Sequence, residues 1–89
     1  MARAGREAGS AGGITNILKD LEKGDKIVFS TSSWQRKRPL TVKHTRSEYV
    51  VVESNRGREY DIVWAREATR GANPIVPDEG PVVHIKVVG

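Results

Sequence analysis

The sequence predicts a mainly β protein: five short antiparallel strands forming a small barrel or a strongly bent sheet, preceded by one short N-terminal helix. Three features carry that prediction. From Asp25 onward, apolar residues alternate with polar ones in short runs, the period of a strand with one buried face. Glycine, proline, asparagine and serine punctuate those runs. Only Ile14, Ile17, Leu18 and Leu21 follow the three-and-four spacing of a helix face, and they span about two turns.

Taken in order, Met1 to Gly13 holds four glycines, four alanines and no large aliphatic residue beyond the initiator. Such a segment buries too little surface to offset its ordering entropy and is expected to be a flexible tail. The helix follows, with Thr15 or Asn16 able to cap its start and Gly24 suited to the left-handed position at its end. A helix this short persists only by packing its apolar stripe on the sheet. Residues 14–89 are therefore expected to form a single domain, since 89 residues leave no room for a second core.

The strands are expected at Lys26–Ser30, Pro39–Thr45, Tyr49–Ser54, Glu59–Trp64 and Val82–Val88. Ile27 and Phe29 face inward on the first; Leu40, Val42 and His44 share a face on the second. On the third, Val50 and Val52 oppose Tyr49 and Val51, and on the fourth Tyr60, Ile62 and Trp64 align. Ser54-Asn55-Arg56-Gly57-Arg58 reads as a tight hairpin because Gly57 tolerates positive φ. Arg66–Gly80 breaks the pattern with Pro74, Pro77 and two glycines. The expected core comprises Ile17, Leu18, Leu21, Ile27, Phe29, Leu40, Val42, Val50, Val52, Ile62 and Ile85. Closure into an SH3-like or OB-like barrel hides the strand edges; a flat sheet covered by the helix is the competing arrangement.

The run Arg38-Pro39-Leu40-Thr41-Val42, a valine-rich strand, and then Gly57-Arg58-Glu59-Tyr60 resemble the R-P-L-T-V … G-x-x-Y layout of small uncharacterised β-rich proteins of haloarchaea. The resemblance runs from Arg38 to Tyr60. It implies strands there and brings no activity with it. This chain is basic where halophile proteins are usually acidic.

The formal charge is +4, and residues 26–71 hold the excess, with ten Lys/Arg against five Asp/Glu and seven of the ten being arginine. Arginine suits bidentate phosphate contact and stacking on rings. The sharpest local feature is Trp34-Gln35-Arg36-Lys37-Arg38-Pro39 after Ser30-Thr31-Ser32-Ser33. Cations beside an indole match a phosphate backbone with an exposed base, and the hydroxyls could add phosphate hydrogen bonds. Arg46, Arg56 and Arg58 join Trp34, Arg36, Lys37 and Arg38 as candidate nucleic-acid-binding residues. Against that reading, Trp34 could plug the barrel end, and Glu48, Glu53, Glu59, Asp61 and Glu67 could neutralise the arginines across strands.

No cysteine is present, so disulfides and thiolate chemistry are excluded. His44 and His84 are too few for a metal site, no cofactor is expected, and the glycines at residues 9–13 lack the strand and lysine of a phosphate loop. No apolar run approaches the roughly 20 residues of a membrane helix, and no membrane partner is expected. Arg3 and Arg6 lack the apolar stretch of a secretory signal behind them. The expectation is a cytoplasmic, non-enzymatic nucleic-acid-binding module, contacting the phosphate backbone of DNA or RNA. The alternative is an assembly module, a homodimer or accessory subunit, that uses apolar strand faces.

Overall fold

The computed structural model describes residues 3–35, 38–64, 72–77 and 79–89. Strands β1 (Glu7–Ala8), β2 (Lys26–Thr31), β3 (Leu40–Thr45), β4 (Tyr49–Glu53), β5 (Glu59–Val63), β6 (Ile75–Val76) and β7 (Gly80–Val87) form one antiparallel sheet, with helix α1 (Ala11–Asp20) between β1 and β2. The sheet order is β1-β7-β2-β3-β4-β5-β6, and β6 pairs back onto β7. Six strands therefore close into a barrel, and β1 extends the edge of β7 beyond β6. The flat-sheet alternative is overturned by that closure.

All five expected strands are present. The two additional ones are two residues each and fall where periodicity has nothing to repeat. In the segment expected to be a flexible tail, Glu7 pairs with Lys86 and Ala8 with Ile85. The helix also starts three residues earlier than its apolar stripe, at Ala11. Its N-cap is Ser10, which has extended backbone angles but no capping side-chain bond; Thr15 instead sits inside the helix, donating its hydroxyl to Ala11 O at 2.9 Å. Residues 7–13 are thus part of the fold. A short segment without large side chains can still be ordered by ladder bonds to a long neighbour, here Val87 N–H to Arg6 O and Gly5 N–H to Val87 O.

The helix ends at Asp20 with Leu21 as an extended C-cap, so Gly24 is not its terminator. Gly24 has φ of +97° in the turn that enters β2, and its N–H bonds Val42 O at 2.9 Å. Buried Asp25 completes that turn by accepting the Glu22 N–H on its carboxylate, while its carbonyl accepts the Val42 N–H.

Two bulges bend the strands as closure requires. One places Val83 as an extra residue of β7 against β2, leaving Val82 and Ile85 buried and Val83 exposed. The other makes Lys43 the extra residue of β3, between Val42↔Val52 and His44↔Val51. That shift corrects the expected face of His44: it pairs with Val51 and is exposed, where strict alternation would have buried it with Val42.

All eleven expected core residues are buried in one cluster, joined by Ile14, Trp64, Val76, Val82 and Val87. Helix residues Ile14, Ile17 and Leu18 supply one side of it. No described helix is long and apolar enough to cross a membrane. Truncating a central member tests the register: Ile62→Ala should cost roughly 2–5 kcal/mol in urea denaturation. A loss below about 1 kcal/mol would place the other face of β5 inward.

Candidate functional site

Two loops at one end of the barrel build the site. The first joins β2 to β3. Its opening turn is closed by Thr31, whose N–H bonds Trp34 O at 2.7 Å while Trp34 N–H bonds Thr31 O at 3.3 Å, and Gln35 bridges back to Ser30. Further ties fix this turn to the start of β7: Ser32 N–H donates to Pro81 O, and Ser33 Oγ donates to Glu79 O at 2.7 Å. The hydroxyls of Thr31 and Ser33 therefore hold the loop, which corrects their expected use as phosphate donors.

The second loop is the β4–β5 hairpin. Ser54 N–H bonds Arg58 O, Gly57 N–H bonds Ser54 O, and the Ser54 hydroxyl accepts the N–H groups of both Arg56 and Arg58 at 3.3 and 3.2 Å. Gly57 supplies the left-handed residue, with φ of +83°. This is the three-residue hairpin loop in which a type I turn ends on a glycine bulge. The serine that precedes it locks the tip from inside.

Between these loops runs an open groove of about 490 Å³. Trp34, Pro39, Leu40 and Tyr60 supply apolar wall, and Arg38, Arg56 and Arg58 line it with Gln35, Ser54 and Asn55. An adjoining hollow continues past Arg38 and Asn55 towards Lys26 and Thr41. Trp34 keeps 50% of its surface exposed. Tyr60 is half-buried against the core, and the Arg58 guanidinium carbon stands 5.6 Å from its ring centroid, within cation–π range.

The charges sort themselves on the outside of the sheet. Lys43 Nζ lies 2.8 Å from Glu59 Oε2 and 3.2 Å from Glu53 Oε2. Hydrogen bonds to Glu59 and Glu53, with their charge, hold its ammonium above the ordinary lysine value; the hydrogen bond from Lys43 and its charge hold the Glu59 carboxyl below the usual range. Lys43, outward beside the inward Val42, thus takes the two carboxylates that flank the hairpin. Among the described residues, no carboxylate forms an ion pair with Arg38, Arg56 or Arg58. Cross-strand neutralisation operates here, but on Lys43.

Of the sequence-predicted residues, the structure brings together Trp34, Arg38, Arg56 and Arg58. Arg46 is elsewhere: it lies in the β3–β4 turn at the far end of β3, where its guanidinium donates to Thr45 O at 3.0 Å. Arg36 and Lys37 lie outside the described residues. Tyr60, Gln35 and Asn55 were not anticipated. Tyr60 sits two positions beyond Arg58, and that spacing is the sequence signal that could have placed Arg58, just before β5, on the side of Tyr60. His84 Nε2 lies 2.8 Å from Glu7 Oε2, away from the groove, and no group of three or more metal-ligating side chains forms among the described residues.

In comparisons with family models, curated proteins and solved structures, the chain matches none.

The Lys43 network makes a pH prediction. Glu59, with its folded pKa lowered, adds stability above the unfolded carboxylate range and loses it as pH falls through the folded value. Lys43, with its folded pKa raised, adds stability below the ordinary lysine value and loses it as pH rises through the raised one. Both contributions are in place at neutral pH, and both are small because the groups are solvated. Glu59→Gln should lower the urea midpoint at pH 7, with the gap to the parent closing in acid. A gap that persists unchanged at low pH would assign Glu59 a packing role instead.

Proposed function

We propose that this protein is a small non-enzymatic nucleic-acid-binding module whose contact surface is the groove between the β2–β3 loop and the β4–β5 hairpin. The single observation that carries this reading is the convergence on one groove of two aromatic side chains and three arginines that pair with no carboxylate among the described residues. Guanidinium groups attract phosphates and release condensed counterions, and the aromatic faces offer stacking to bases. The order of strands, a meander from β2 to β5 whose return strand β7 pairs with β2, supports an SH3-like description of the barrel. Arg46 drops out of the proposed interface because it lies at the opposite end of β3.

The reading is tested by salt dependence. Retention of the parent on a DNA or heparin resin should fall steeply with salt. For each cation removed among Arg38, Arg56 and Arg58, the slope of log affinity against log salt should decrease by about 0.9 on duplex or 0.7 on single strands. Arg46→Ala should leave that slope unchanged. If the triple Arg38/Arg56/Arg58→Ala protein keeps the parent's slope, the groove is not the interface.

A second reading is favoured by one feature of the outer sheet. Tyr49 pairs with Val63, Val63 with Ile75, and Ile75 with Pro81, giving an apolar row across four strands. Tyr49, Val63 and Ile75 are 36%, 37% and 50% exposed. Such a row suits a homodimer, its two copies related by a two-fold axis. Sedimentation as a dimer that Ile75→Lys converts to monomer, without DNA retention by either, would make assembly the function.

A further inference from the structure

We infer that the groove seats one unstacked base of a single-stranded nucleic acid, with the flanking phosphates held by Arg38 from one loop and Arg56 from the other. This rests on the nucleic-acid reading above and narrows it to a substrate class. A protein that binds only a phosphate backbone needs a basic surface and no concavity. Here the arginines surround a depression of about 490 Å³, in the size range of clefts that enclose small organic groups. Part of its wall is apolar and aromatic: Trp34 is half-exposed, Leu40 buried and Tyr60 half-buried.

Those walls match the chemistry of a base lifted out of its stack. An indole offers a π-face that any base can use, and the Arg58 guanidinium, which lies over the Tyr60 ring, adds a planar cation to that platform. Duplex nucleic acid keeps such faces stacked inside and presents only grooves and backbone, so it cannot fill an apolar pocket without unpairing. Gln35 and Asn55, which also line the groove, each carry a donor and an acceptor on one carboxamide. That pair can meet the polar edge of a base whose Watson–Crick partner is absent.

The hydrogen bonds beside the groove point the same way. The Ser54 hydroxyl fixes the hairpin tip, and the Thr31–Trp34 bonds fix the turn that carries the indole. A preformed cleft of this kind saves the ordering cost of closing on a strand.

The experiment compares a fluorescein-labelled single strand of about ten nucleotides, as DNA and as RNA, with its duplex and with a strand whose central nucleotides are abasic. Anisotropy titrations are run at matched moderate salt. The single strand should bind at least about tenfold tighter than the duplex, and abasic replacement should remove that advantage while keeping the salt slope. Trp34→Ala should weaken single-strand binding about five- to 150-fold with the slope unchanged. Emission from buried Trp64, 4% exposed, reports whether the variant is folded. The abasic arm changes only the ligand and so stands even if that variant unfolds. Equal affinity for single strand, duplex and abasic strand would overturn the inference and leave backbone binding standing. Absence of binding to all three would remove both.

Discussion

Everything in this fold hangs on β7. One edge pairs with β2 over five positions, from Ile27↔Val87 to Thr31↔Val82, and the other is shared end to end between β6 and β1. A strand with ladder partners on both sides has no template left to offer to another chain, and its inward residues Val82, Ile85 and Val87 are fully buried. Without β7 the meander from β2 to β5 would be an open sheet with exposed edges. With it, a domain small enough to be short of buried surface encloses one continuous core, onto which the helix stripe of Ile14, Ile17 and Leu18 packs.

The groove is a by-product of that closure. Because β2, β3, β4 and β5 run up and down in order, the β2–β3 and β4–β5 connections emerge at the same end, and the β3–β4 turn at the other. Arg38, Arg56 and Arg58 are therefore neighbours although 20 residues separate the first from the last. Arg46, closer in sequence to Arg38 than Arg56 is, lies apart. Lys43 of β3 then settles the charge. Lying outward beside Glu53 and Glu59, it occupies the carboxylates that flank the hairpin, and among the described residues none is left against the arginines of the tip.

Much of this was legible from residue order because burial on one face imposes a period of two. Ile27 and Phe29, Val50 and Val52, and Ile62 all followed it into the core. Where it failed, the reasons are local. His44 obeyed alternation on paper, but one extra residue in a strand reverses every side chain beyond it. Ile75–Val76 lies between Pro74 and Pro77, and two residues carry no period at all. Glu7–Ala8 and the first helical turn contain only small or polar side chains, so their order comes from backbone bonds that composition does not reveal. The site was half legible: Trp34 and the arginines announce themselves by type, whereas the participation of Tyr60, Gln35 and Asn55 depends on how two distant loops meet.

The closing seam has a mechanical consequence. Between β6 and β7 only two residue pairs meet, Ile75↔Pro81 and Val76↔Gly80, and Pro81 has no N–H to give. Two further bonds, Val82 N–H to Pro74 O and Asn73 Nδ2 to Val82 O, reinforce the join. The long β2–β7 ladder on the other side of the same strand is far more extensive. On its other side β6 meets β5 at a single pair, Val63↔Ile75, so under thermal agitation the barrel should open first at β6, while the β2–β7 ladder persists until global unfolding. An opening of that kind exposes strand edges at the seam and loosens the tie from Ser33 to Glu79, while the β4–β5 side of the groove, anchored on the meander, stays where it was.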